Sequence, residues 1–121
     1  MPGSIVEFTN KTENSHFEGV FDISPADLLK HQSSVLVVDV RQPEEYTGEL
    51  GHIADSRLIV LNTLPQHLAE LPKDQSIVFV CLLGGRSSQA TAYARSQGFE
   101  HVYNMTGGMK LWNQLNLPTE R

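Results

Sequence analysis

Val78-Phe79-Val80-Cys81-Leu82-Leu83-Gly84-Gly85-Arg86-Ser87-Ser88 is the stretch of this 121-residue chain from which the fold is read. An apolar, β-favouring run ends on the only cysteine, a glycine-bearing loop follows, and a helical pattern opens directly behind it. The run Ser76-Ile77-Val78-Phe79-Val80-Cys81 is apolar after its first residue, as a strand buried on both faces must be. Ser87 to Gln97 places Ala90, Tyr93 and Ala94 on one helical face, and Gly98 closes it. This order of strand, tight loop and helix is how a nucleophile is presented.

The same alternation extends outward in both directions. Ser24-Pro25-Ala26-Asp27 starts a short helix, with Ser24 as its cap and Leu28-Leu29 on the buried face. Val35-Leu36-Val37-Val38-Asp39-Val40 is a β-branched run, and Pro43-Glu44-Glu45-Tyr46 begins another short helix. Leu58-Ile59-Val60-Leu61 predicts a further strand, followed by a helix carrying Leu64, Leu68 and Leu71 and stopped at Pro72. Beyond the opening stretch, His101-Val102-Tyr103-Asn104-Met105 is a strand, and Met109 to Leu115 is a last helix ending before Pro118. Such alternation predicts an α/β fold of about five mainly parallel strands, flanked by helices on both faces. Ligands of such sheets bind at the carboxyl ends of the strands, where Cys81 and Asp39-Val40-Arg41 both fall. Residues 1–19 are polar and lack apolar periodicity, so they read as a flexible N-terminal extension, with a short ordered piece at Ile5-Val6-Glu7-Phe8. The domain proper is 20–121.

Composition bounds the function. Hydrophobic residues make up 40% and charged residues 19%, the values of an ordinary globular domain. A net charge of -5 with scattered Lys and Arg argues against nucleic acid as a partner. No apolar run approaches the ~20 residues that cross a bilayer, and no basic-then-apolar leader opens the chain, so no membrane association and a cytoplasmic location are expected. A single cysteine forms no internal disulfide.

A lone cysteine at a strand end is often only a small buried hydrophobe. The residues that follow Cys81 change that reading. If the loop wraps around the sulfur, the amides of residues 82 to 87 point inward as a nest and the helix adds its positive end. Surroundings of this kind draw a thiol pKa from ~8.5 to about 3.5–7.5 without a histidine base. Gly84 and Gly85 suit the curvature.

Cys81-Leu82-Leu83-Gly84-Gly85-Arg86 matches the loop C-x-x-G-x-R, and on this basis the chain resembles the single-domain rhodaneses, a family of sulfurtransferases. Three further features fit that family in order: Asp39-Val40-Arg41 with Pro43-Glu44-Glu45-Tyr46, then Gly51-His52-Ile53, then Gly107-Gly108 with Trp112. The resemblance covers about residues 20–120. It implies a rhodanese-like fold and a Cys81 persulfide. Cys81 takes sulfane sulfur from a small donor, thiosulfate or an organic or protein persulfide, and passes it to cyanide, a thiol or a protein acceptor. Leu82, Leu83, Gly84, Gly85, Arg86 and Ser87 form the loop that stabilises the anion. Arg86 either attracts an anionic donor or pairs with Asp39 to hold the loop. Arg41 is expected to pair with Glu44 or Glu45, with Asp39 and Arg41 as supporting residues. No metal or organic cofactor is implied. Two departures from the family stand out. Many thiosulfate-using members carry a basic residue directly after the cysteine, where this chain has Leu82-Leu83, and Ala54-Asp55-Ser56-Arg57 replaces the usual Pro-Gly-Ala after Ile53.

Two other readings compete. Cysteine phosphatases use Cys-x5-Arg, one residue longer; here Ser87 occupies that position, and the shorter cradle suits sulfur better than a tetrahedral phosphate. A sulfur carrier or partner-binding module with little turnover is the third class, supported by apolar Leu82-Leu83. The five histidines show no close pair of the kind a metal site needs. His52 reads as shaping its loop through a hydrogen bond, Trp112 as core, and Asn104 as a turn residue outside the site.

Overall fold

The computed structural model describes residues 5–121. Along the chain run β1 (Thr12–Glu13), β2 (Phe21–Ile23), α1 (Pro25–His31), β3 (Leu36–Asp39), α2 (Pro43–Tyr46) and β4 (Arg57–Leu58). They are followed by α3 (Leu64–His67), β5 (Ile77–Val80), α4 (Gly85–Ser96), β6 (Val102–Met105) and α5 (Gly108–Gln114). The strands form one sheet in the order β1-β2-β6-β5-β3-β4. Among these six strands, only the β1–β2 pairing is antiparallel.

β5 lies inside the sheet, in register with β3 through Val38 opposite Phe79 and with β6 through Val78 opposite Tyr103. Successive side chains of a strand point to opposite faces, and this alternation builds two cores. Ile77, Phe79 and Cys81 pack with Leu64, Leu68, Ala90 and Ala94 under α3 and α4. Val78 and Val80 pack with Leu28, Tyr103, Met109 and Trp112 under α1 and α5. The α/β architecture with helices on both faces is therefore as expected. Ser24 caps α1 as read from the sequence, its Oγ accepting from the Asp27 amide at 3.1 Å.

Three local expectations are corrected. The strand expected over Leu58–Leu61 is only Arg57–Leu58, because the backbone turns at Val60 into a 3₁₀ turn over Leu61–Thr63. The helix expected across Leu64 to Leu71 is one α-turn followed by a tighter turn at Leu68–Glu70, although all three leucines are buried. Among the described residues the sheet has six strands where about five were expected; neither β1 nor β2 was among the runs read as strands, and β1 lies within the expected extension.

Residues 5–19 lie against the domain. Phe8 is buried, edge-on to Tyr103 with ring centroids 4.9 Å apart, and the Val6 amide donates to Ser76 Oγ at 2.8 Å. The polar composition that suggested an extension is equally that of an edge strand facing water. The remainder of that expected extension, residues 1–4, lies outside the described residues. Among the described residues no helix is long and apolar enough to cross a membrane.

Candidate active site

Cys81 follows the last residue of β5 directly, and its neighbours fix the sulfur. The Gly84 amide donates to Cys81 Sγ at 3.0 Å, and Ser87 Oγ lies 3.2 Å from the same atom. Gly84 makes this reversal at φ +114°, a conformation that L side chains rarely adopt, and serves as the residue before α4. α4 runs for 12 residues, so the sulfur sits beside the positive end of a full helix whose first-turn amides have no intrahelical acceptor. Of the amides expected to form a nest, Gly84 alone is within hydrogen-bond distance of the sulfur among the described residues.

The other side of the loop rests on α5. Met109 N donates to Cys81 O at 2.8 Å and Lys110 N to Leu82 O at 3.0 Å. This close approach explains Gly108. A Cβ on Gly108 would fall 2.3 Å from Leu82 O and 2.5 Å from Cys81 O.

The charged residues pair differently from expectation. Arg41 does not reach Glu44 or Glu45; its Nε and Nη2 donate to Asp39 at 2.9 and 2.8 Å, and Nη2 also donates to Gly51 O at 2.8 Å. Both partners are 1% exposed. Residues i and i+2 of extended chain project to one side, which is why Asp39 meets Arg41. Arg86 in turn pairs with Glu45, not with Asp39, through two parallel bonds of 2.8 and 3.0 Å. That fork holds the Glu45 carboxyl down at about 2 from the ordinary 4.5, with burial opposing it, and raises Arg86. The arginine of the loop is thus committed to α2, as a brace.

His52 does shape its loop through a hydrogen bond. Its Nδ1 donates to Tyr46 O at 2.8 Å, which fixes the tautomer because a carbonyl only accepts, and the ring stacks on Tyr46 at 3.7 Å. Trp112 is fully buried in the core. Asn104, read as a turn residue, is corrected: it lies within β6, is 3% exposed, and accepts the Ser87 hydroxyl at Oδ1. Its Nδ2 donates to Asp22 Oδ1 at 3.0 Å, and Asn14 donates to the same oxygen at 2.9 Å. Asn104, Asp22 and Asn14 are the residues that sequence reasoning missed. A buried polar residue in the middle of the run Val102–Met105 was the available signal.

At the mouth, Leu83 is 62% exposed. Beside the loop lies a cleft of about 440 Å³ lined by Leu61, Leu64, Pro65 and Tyr93 together with Gln42, Gln89 and Arg86. Leu82 lines a second hollow with Glu44, Glu45 and Glu49. Among the described residues, no three His, Cys, Asp or Glu side chains gather as a metal would require.

The Rhodanese-like domain family profile matches residues 24–115. A sulfurtransferase of Allochromatium vinosum is 38% identical over 90 residues, 74% of this chain and 82% of its own. The thiosulfate sulfurtransferase GlpE of Vibrio cholerae is 30% identical over 99 residues, 82% of this chain and 92% of its own. Among solved structures, a rhodanese-related protein of Thermoplasma volcanium superposes with a TM-score of 0.75 at 29% identity, covering 80% of this chain and 94% of that one. With the strand-loop-helix cradle around a single cysteine, these likenesses place the chain in the rhodanese family of sulfurtransferases.

Proposed function

We propose that the protein transfers sulfane sulfur through a persulfide on Cys81. The observation that carries this reading is the single free cysteine held at a strand end with the Gly84 amide 3.0 Å from its sulfur. Burial by itself fits an inert cysteine, and Cys81 is 1% exposed. Two polar groups converging on that buried sulfur favour a sulfur that must carry negative charge.

In the first half-reaction the Cys81 thiolate attacks the outer sulfur of the donor. A new S–S bond forms, the donor's own S–S bond breaks, and its electron pair leaves with sulfite or with an organic thiolate. In the second, a nucleophilic acceptor attacks the outer sulfur of Cys81-S-S⁻ and the electron pair returns to Cys81. No oxidant is consumed. The Gly84 amide and the first turn of α4 stabilise the anion in both halves.

The donor follows from charge and shape. Arg86 is neutralised by Glu45, Leu82 and Leu83 offer no cation, and Glu44 and Glu49 add negative charge beside the loop. A dianion such as thiosulfate gains little there. The largely apolar cleft next to Arg86 accepts the organic part of a persulfide donor, with a thiol or a protein as acceptor. The exposure of Leu83 favours a second reading, a carrier that receives sulfur from a partner protein and turns over little by itself.

Intact mass measured after incubation with thiosulfate, and separately with an organic persulfide, tests the proposal. The expected result is a species heavier by one sulfur, stripped by cyanide and absent in Cys81→Ser. A wild-type protein that gains no sulfur from either donor refutes it. Loading without multiple turnover selects the carrier.

A further inference from the structure

Ser87 has one hydroxyl proton and two claimants for it. Cys81 Sγ is 3.2 Å away, and Asn104 Oδ1 is in direct hydrogen-bond contact. Asn104 cannot turn over to relieve the competition, because its Nδ2 donates to Asp22 and a carboxylate at neutral pH only accepts. Asp22 is held in turn by Asn14 Nδ2, which also reaches Ser88 Oγ at 2.9 Å, and the Ser88 hydroxyl is committed to Gly84 O at 2.6 Å. The bond from Asn104 to Asp22 is therefore fixed in direction, and it leaves Asn104 Oδ1 facing Ser87 as an acceptor. Ser87 and Asn104 are 0% and 3% exposed, so water does not readily replace a lost partner.

The two charge states of the sulfur call for different arrangements. As a thiol, Cys81 donates its S–H to Ser87 Oγ, and Ser87 donates to Asn104. As a thiolate, the sulfur only accepts, and the Ser87 proton rotates from Asn104 to the sulfur. We propose that Asn104 and Asp22 are positioning residues that hold the Ser87 proton away from a neutral Cys81 and yield it when the sulfur becomes an anion. The proposal rests on Cys81 as the reacting group and assigns the terms on which its anion is stabilised. Asp22 sets those terms across two intervening side chains by keeping the Asn104 carbonyl turned toward Ser87.

The other charges that face the loop are accounted for. Arg86 of α4 is paired with Glu45 of α2, and Arg41 is paired with Asp39 of β3. α5 presents backbone amides to Cys81 O and Leu82 O, and Lys110 on that helix is exposed.

The readout is the thiolate ultraviolet absorbance of the full chain as a function of pH, taken as the difference from Cys81→Ser; a single cysteine makes the signal unambiguous. Removing the donor in Ser87→Ala raises the midpoint, and removing the competitor in Asn104→Ala lowers it, each by about 0.5 to 1 pH unit, the scale of one hydrogen bond. Asp22→Asn, which preserves shape, lowers it as well, since Asn104 is then free to turn. In a Ser87→Ala background both lowering effects vanish. Equal shifts from Asp22→Asn with and without Ser87 would reduce Asp22 to a distant charge and overturn the proposal, as would an Asn104→Ala midpoint that rises or stays in place. The titration needs no sulfur transfer, so a protein that shifts as stated but accepts no sulfur rejects only the function proposed above.

Discussion

Replacing Gly108 by alanine tests how the loop around Cys81 is held. A Cβ at this position lies 2.3 Å from Leu82 O, 2.4 Å from Leu82 C and 2.5 Å from Cys81 O. These are backbone atoms, so no side chain can swing aside. The residue also sits at φ +59°, where an L side chain costs roughly 1–2 kcal/mol. Relieving the clash means separating α5 from the loop, which breaks the bonds from Met109 N to Cys81 O and from Lys110 N to Leu82 O, each worth about 1 kcal/mol net. The sum is on the order of 3–4 kcal/mol, a large part of the 5–15 kcal/mol typical of a domain. With a urea slope of about 2 kcal/mol per molar, the unfolding midpoint drops by roughly 1.5–2 M. Gly85 is the matched control, because a Cβ there meets nothing within 4 Å and its φ is not positive. Gly85→Ala, in the first turn of α4, holds the midpoint or raises stability by about 0.4–1 kcal/mol. A Gly108→Ala protein within ~0.5 kcal/mol of wild type would refute this account of the contact between α5 and the loop.

Two further substitutions separate the ion pairs. Asp39→Ala leaves the Arg41 guanidinium buried without its carboxylate and lowers stability by about 3–5 kcal/mol, measured by urea unfolding; a loss below that of Glu45→Ala would contradict the buried pair. The Glu45 carboxyl is held at about 2, chiefly by the Arg86 hydrogen bond, so its contribution is complete above about 4.5 and disappears as pH falls toward 2. Glu45→Gln therefore flattens the acid limb of the stability profile in that window, by no more than ~1 kcal/mol because the pair is partly exposed; an unchanged profile would show that the fork contributes nothing in solution.

How much of this was legible in the sequence depends on how far apart the interacting residues lie. Strand β5, the loop and α4 are contiguous, and each follows from residues next to it: the apolar run, the glycines, the helical face of Ala90 and Ala94. The Asp39–Arg41 pair was also within reach, since two residues apart in extended chain implies one side, but the acidic Glu44 and Glu45 drew the expectation away. Asn104 was missed because its meaning comes from Asp22, 82 residues away along the chain, and strand register carries no local trace. Strand β4 was overextended because the apolar run from Leu58 to Leu61 is compatible with a strand, whereas the turn at Val60 is set by how the chain must fall back over α4.

The pairing of β2 with β6 has a consequence for how the protein comes into being. Asp22 and Asn104 are register partners across that pairing, which closes a loop of most of the chain, and such non-local contacts form late and slowly. During synthesis β3 and β5 are complete while the strand that covers one edge of β5 has yet to leave the ribosome, so apolar edges wait exposed. The polar chain from Asp22 to Ser87 therefore exists only in molecules whose sheet has closed, and a half-assembled chain holds its cysteine in a differently tuned setting from the finished protein.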